Sequence, residues 1–329
     1  MLENKVEKII EELGPKAVEN EPLSKHTVLK VGGPARIFYQ ANNSDELVKA
    51  VKLAQKLEFP YLVLGMGANV LVSDAGFPGL VIKNRTGKIA VVGKKGRIRV
   101  GERFDEEGLV EAESGVTLVQ LCRFTYDASL SGLEFLYAIP GTVGGALKIN
   151  AHGRPAKNEF IGNLLSEATL LTGDGRLKKV DQKYFNFSYD YSKIIDSHEI
   201  VIIAVFKLKI GDKSKIWAKA LEYFDARKVA QPYDVPSAGC VFQNISQSAA
   251  ARLGMSNGIY STGMLIAQTG LAGAKIGGAK ISEKHCNFFT NVGEAKASDF
   301  AQLISLVKIK AKEKFGVDLK EEIFLVGEF

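Results

Sequence analysis

Two glycine-bearing segments, each set against an apolar run, constrain this chain most: "LGMGANVLVSD" at 64–74 and "AIPGTVGGALKIN" at 138–150. Glycine lets the backbone turn tightly and present consecutive N–H groups, a geometry suited to a pyrophosphate. The first segment is not a Rossmann fingerprint, because the third glycine of GxGxxG is missing and no helix pattern follows. Nor is it a Walker A loop, since no Gly-Lys-Ser/Thr ends it. In the second, Gly141, Gly144 and Gly145 interrupt a stretch that reads as strand, where glycine marks a bulge or a close backbone approach. Singly, each segment is an ordinary turn. Together they favour a dinucleotide held by backbone amides.

The surrounding pattern is mixed α and β. From His26 to Asn84, strand signals at 35–41, 61–64, 69–73 and 79–83 flank a helix at 44–57, opened by Asn43 with Glu46 three positions on as a capping box. From about 86 to 210 the texture is β-rich, with "KIAVVG", "RIRVGE", "SEATLLTGDGRLKKV" and "EIVIIAVFKLKI" around one helix at 117–130. The Asp-Gly of "TGDGRL" predicts a type I′ hairpin turn. A helix at 214–230 opens a third unit, and the long helix at 298–316 ends on Gly316 as its left-handed cap. The expected domains are 1–85, 86–212 and 213–329, with a final strand at about 319–327.

Charge and cysteine usage exclude several classes. A formal +6 spread over 329 residues without like-charge runs gives no nucleic-acid tail. "MLENKVEKIIEELG" reads as an amphipathic helix and not a signal peptide, and the longest apolar run, "IVIIAVF", is far below the roughly 20 residues of a membrane span. No membrane insertion and a cytoplasmic location are expected. Cys122, Cys240 and Cys286 show no CxxC spacing, and the four histidines are scattered, so neither a disulfide framework nor a metal site is indicated.

Further motifs carry a resemblance. "HTVLKVGGPA" (26–35), the two glycine segments, "PSAGCVFQN" (236–244), "IGGAKISEKHCNFF" (276–289) and "FGVDLKEEIFLVG" (315–327) follow one another as in the UDP-N-acetylenolpyruvoylglucosamine reductase family, which the chain resembles from about residue 20 to 327. The resemblance implies an α+β protein with a PCMH-type FAD-binding fold in two subdomains and a C-terminal α+β substrate-binding domain. It implies FAD and NADPH as cofactors, a UDP-sugar substrate, a role in peptidoglycan synthesis, and a monomer. The helix at 214–230 follows "KLKIG" almost directly, so the chain resembles the shorter subclass without an inserted tyrosine loop.

That family reduces an enolpyruvyl ether, adding a hydride to the terminal carbon and a proton to its neighbour. Cys240 stands where the family has a serine, and a thiol, largely protonated at pH 7 yet far more acidic than an alcohol, can donate that proton. Cys122 and Cys286 read as core packing. Period-2 alternation places Glu322, Phe324 and Val326 on one face, where a carboxylate is costly unless used; Glu322 is implied as the second acid, with Glu321 on the opposite face. The resemblance puts Tyr189, Arg227, Asn244 and His285 in the substrate-binding set. It puts flavin contacts at Gly65, Met66, Gly67, Ala68, Asn69 and Val70, and at Ile139, Pro140, Gly141, Gly144, Gly145 and Asn150.

Two departures matter. Asp190 in "FNFSYDYSK" occupies the place of an arginine that steadies the developing enolate, and His152 in "INAHG" occupies the place of a glycine. A carboxylate opposes that task. Either Lys193 substitutes, or the local alignment slips, or activity is altered; His152 shapes the flavin pocket or packs locally. The alternatives to a working reductase are a catalytically impaired flavin-binding paralogue and an oxidase of the same fold.

Overall fold

The computed structural model describes residues 2–100, 103–254 and 261–329. The chain forms two units: residues 1–19, 37–66 and 79–226 in the first, and 20–36, 67–78 and 227–329 in the second.

The first unit is built on two sheets. In one, the strand order is Ala17–Pro22, Pro34–Ala41, Phe77–Asn84, Tyr61–Leu64. The helix Ser44–Lys56 follows; Asn43 caps it, its side chain accepting from the Glu46 amide at 2.9 Å. That helix and Leu2–Leu13 bury Leu47, Ala50, Val51, Val6 and Ile9 in one core. The second sheet runs Leu177–Asp181, Leu165–Leu171, Ile200–Ile210, Arg103–Glu113, Ile89–Val100. The helices Leu118–Asp127 and Val143–Lys148 contribute Leu121, Val143 and Leu147 to its core.

Three expectations change here. "KIAVVG" and most of "RIRVGE" form a single strand, Ile89–Val100, because its partner Arg103–Glu113 offers an antiparallel ladder on both sides of an irregularity between Lys95 and Ile98. Gly101 and Glu102, which end that motif, lie outside the described residues. "TGDGRL" is a wider hairpin than type I′: the Thr172 amide donates to Arg176 O and the Gly175 amide to Thr172 O, both at 2.9 Å, with Gly175 at φ +77°. Gly144 and Gly145 lie in a helix, Val143–Lys148, and not in a strand, with Gly141 in the loop before it. Their use for close approach holds, since a Cβ on Gly144 would come within 3.0 Å of Ser114 Cβ.

The second unit gathers three distant stretches. The sheet Ser237–Cys240, Phe288–Asn291, Ala279–Ile281, Lys275–Ile276 packs with the helix Ala297–Phe315 around Phe289, Phe300 and Val307. Val70–Val72 pairs in parallel with Phe324–Val326. Glycines permit the crossing of main chains: a Cβ on Gly33 would lie 2.1 Å from Asp74 O, and one on Gly327 2.2 Å from Gly76 O. The last strand is shorter than expected, and Glu322 falls on the bend before it; Ile323 and Val326 are buried and Leu325 is exposed, so simple alternation breaks there. No helix among the described residues is long and apolar enough to cross a membrane.

Candidate functional site: a cleft and an acid pair

A cleft of about 620 Å³ opens in the first unit, lined by Tyr61–Val63, Gly65, Asn84, Ser114, Thr142, Gly144, Gly145, Lys148, Ile194 and 198–201. That volume is in the range of small-molecule sites. Gly65 leaves no room for a side chain, as a Cβ would stand 2.4 Å from Thr142 Oγ1. Asn84 holds the floor by donating to Ser114 Oγ at 2.8 Å. Lys148 brings a cation to the wall, and burial pulls its pKa below the usual amine range. Bare backbone, small hydroxyls and one ammonium suit a diphosphate-bearing group.

Of the expected cofactor contacts, Gly65, Gly144 and Gly145 line this cleft. Met66 ends its segment of the first unit, whereas Gly67, Ala68, Asn69 and Val70 belong to the second. Ile139 packs on the first unit's core, Gly141 lies near Leu118, and Pro140 is exposed. Asn150 is buried at φ +51°, donating to Ser188 O and accepting from the Gly162 amide. Sequence reasoning missed Asn84, Ser114, Thr142 and Lys148. The last two lie inside a quoted glycine segment, but nothing in their spacing marks them.

In the second unit, Gly239 at φ +81° turns the chain into Cys240, which pairs with Phe288. The next residue carries the link to the acid: the Glu322 amide donates to Val241 O at 2.8 Å. Asn287 braces the same segment, accepting from the Phe242 amide at 3.0 Å and donating to Phe242 O at 2.7 Å. Asn69 holds Glu322 from behind, donating to its carbonyl at 3.1 Å. Arg227 is half-buried beside this pair. Burial pulls its pKa below the usual guanidinium range, and Cys240, Glu322 and Tyr233 act on it in the opposite sense. Cysteine, carboxylate and guanidinium are therefore near enough to act on one another's charge, although 13 and 95 residues separate Arg227 from Cys240 and Glu322 in sequence.

The neighbouring residues are differently employed. Asn244 accepts from the Thr262 amide at 3.1 Å. His285 sets its ring edge-on to Phe288 at 4.8 Å, with Nδ1 buried and without a hydrogen-bond partner. Burial pushes its pKa down, which favours the neutral ring. Glu321 pairs with Lys308 at 2.9 Å. Cys122 and Cys286 are buried, and burial pushes both thiols up. Cys240 is the half-exposed one.

The departures fall together in the first unit. His152 Nε2 lies 3.1 Å from Asp190 Oδ1, and the His152 ring packs on Tyr189 at 5.1 Å. Lys193 extends over the Tyr184 ring, 4.1 Å from its centroid.

Residues 35–181 match an FAD binding domain, and residues 231–326 match the C-terminal domain of UDP-N-acetylenolpyruvoylglucosamine reductase. The chain is 36% identical over 327 residues to UDP-N-acetylenolpyruvoylglucosamine reductase 1 of Bacillus thuringiensis subsp. konkukian, covering 99% of this chain and 100% of that protein. Identity to reductase 2 of Bacillus anthracis is 35%, covering 94% and 92%. The crystal structure of the Thermus caldophilus reductase superposes with a TM-score of 0.73 at 32% identity, covering 94% of this chain and 99% of that one. With the α+β architecture and the cleft already in view, these matches make the chain a flavoprotein oxidoreductase that belongs to the UDP-N-acetylenolpyruvoylglucosamine reductase family.

Proposed function

We propose that the chain reduces UDP-N-acetylenolpyruvoylglucosamine to UDP-N-acetylmuramate for peptidoglycan synthesis, with FAD in the cleft and NADPH as reductant. The observation that carries this reading is the backbone bond from the Glu322 amide to Val241 O, the residue after Cys240, with Arg227 close enough for both groups to act on its charge. The chemistry that bound FAD supplies is relay of a hydride from the nicotinamide to the terminal carbon of the vinyl ether. Gly65, Thr142, Gly144, Gly145 and Lys148 would hold and orient the flavin there.

Negative charge then develops on the substrate's carboxylate and adjacent carbon. Cys240 delivers the proton to that carbon, and the thiolate left behind is stabilised by the Arg227 guanidinium and reprotonated from solvent. Glu322 acts as acid or hydrogen-bond donor toward the substrate carboxylate. Tyr189, Asn244 and His285 complete substrate binding, His285 as a neutral donor or acceptor. The same reading takes 1–85 and 86–212 as flavin-binding parts and 213–329 as the substrate domain of a cytoplasmic monomer.

Single-turnover kinetics test it. NADPH should bleach the bound flavin, and UDP-N-acetylenolpyruvoylglucosamine should restore its colour with formation of UDP-N-acetylmuramate. Bleaching without recovery leaves the impaired paralogue; recovery by oxygen alone leaves the oxidase.

A further inference from the structure

Among the described residues, Lys148 brings the one ammonium or guanidinium to the lining of the cleft, against two carboxylates, Glu58 and Glu199. We infer that Lys148 anchors the cofactor's diphosphate and takes up a proton as the cofactor binds, so that the protein holds FAD less tightly in alkaline solution. This inference rests on the reading of the cleft as the FAD site and deepens it.

Placement comes from the helix. Lys148 follows Gly144 by four residues and Gly145 by three, which puts all three on one face of Val143–Lys148, and all three line the cleft. Helical side chains lean toward the N-terminus of their helix, which directs the lysine stem back over the two glycines. Neither glycine has a side chain to obstruct it. The main chain here is pinned, since the buried Ser192 donates to Lys148 O at 2.6 Å and Asn150 donates to Ser188 O at 2.9 Å. The stem can therefore answer a ligand while the backbone stays in place.

The proton follows from the surroundings. Burial disfavours the ammonium and pulls its pKa below the usual amine range. An anion placed beside it acts the other way. A diphosphate carries two negative charges, so filling the cleft draws a proton from solution wherever the empty protein has lost one. The strands packed on the helix face it with Val110, Ala112, Ala204 and Phe206, and Ile161–Leu164 carries no ionisable side chain. In the segment bonded to Lys148, Asp190 is joined to His152 and Lys193 lies over Tyr184. Glu199 accepts from the Tyr184 hydroxyl at 3.0 Å and the Ser197 hydroxyl at 2.7 Å. Glu58, Tyr61 and His198 complete the ionisable lining. Lys83, a second buried lysine whose pKa is lowered, precedes Asn84 but is not part of the lining.

The test needs no turnover. The full-length protein, stripped of flavin, is titrated with FAD from pH 7 to pH 9.5 and binding is read from flavin fluorescence. Up to one proton accompanies each cofactor, so the wild-type Kd should rise by up to about tenfold per pH unit once the empty protein's lysine deprotonates. Lys148→Met keeps the stem and removes the charge. It should bind FAD about tenfold to a hundredfold more weakly at pH 7, the scale of a lost hydrogen bond to a charged group, with little further change as pH rises. Lys148→Arg, whose guanidinium stays charged throughout, should bind within about threefold of wild type at pH 7 and keep that affinity to pH 9.5. This second variant decides the matter if the methionine protein folds poorly. Lys83→Met should retain the wild-type slope, and titration of the flavin itself is common to all four proteins. A wild-type Kd that does not change with pH, a wild-type slope kept in Lys148→Arg, or a slope lost in Lys83→Met would each overturn the inference while leaving the FAD reading intact. A wild-type protein that binds no FAD at any pH would overturn both.

Discussion

Asn69 donates its side-chain amide to the main-chain carbonyl of Glu322, 253 residues away, at 3.1 Å. The bond holds the bend that carries Glu322. Asn69→Ala should lower turnover by about tenfold while stability falls by about 1 kcal/mol, the net worth of one part-buried hydrogen bond. Flavin content measured from the absorbance ratio checks the cause: retained flavin with slower turnover assigns the loss to Glu322.

Cys240→Ala should still accept hydride from NADPH and fail to make product, with a loss on the order of a hundredfold or more. Cys240→Ser should retain measurable turnover, because the hydroxyl stays at the same bend beside Arg227. Stopped-flow absorbance of each half-reaction distinguishes them, and normal turnover by the alanine variant would move the proton donor elsewhere.

Glu322→Gln should slow substrate-dependent reoxidation by about a hundredfold, again the scale of a lost acid. Glu321→Gln, which breaks only the ion pair with Lys308, should leave the rate unchanged.

Asp74 caps the helix Ala297–Phe315, accepting from the Ala297 amide at 2.7 Å and the Ser298 amide at 3.0 Å. Burial opposes its charge, but the Ser298 and Ala297 amides outweigh that and hold its pKa below the ordinary aspartate value. Asp74→Ala should cost about 1 kcal/mol, as a lost cap does. Because the folded pKa is the lower one, the unfolded chain binds the extra proton, so this stability is full above pH about 4 and is lost as pH falls through the folded pKa. Urea titrations of both proteins from pH 7 to pH 3 should converge at the acid end.

Lys83 is buried, and burial followed by the Arg85 charge pulls its pKa to about 8. The unfolded chain keeps that proton to about pH 10.4, so between the two values stability rises with pH, by up to about 1.4 kcal/mol per unit from this group. Lys83→Met should flatten that rise in urea midpoints between pH 8 and 10.

Local chemistry was the legible part of the sequence. The Asn43 cap, the left-handed Gly316 and the strand Tyr61–Leu64 each depend on neighbours within a few residues. Val143–Lys148 was read as strand because glycines and β-branched residues disfavour helices, yet this turn of helix needs Gly144 to pass within contact of Ser114. What brings residues 20–36 and 67–78 to the C-terminal unit is backbone pairing and glycine crossings, which leave no periodic trace. The meeting of Arg227, Cys240 and Glu322 was legible only through resemblance. His152 and Asp190 each looked anomalous alone, since their bond to each other is visible only when both are placed.

The parallel pairing of Val70–Val72 with Phe324–Val326 has a consequence during synthesis. Strand 70–72 waits, unpaired along that edge, for some 250 further residues to be translated, and the Glu322 carboxylate arrives with the same late segment. At the usual rate of roughly 5–20 residues per second, the edge stays open for about 10 s or longer. A ribosome that stops short of the last strand therefore releases a chain lacking both that closing ladder and the Glu322 carboxylate.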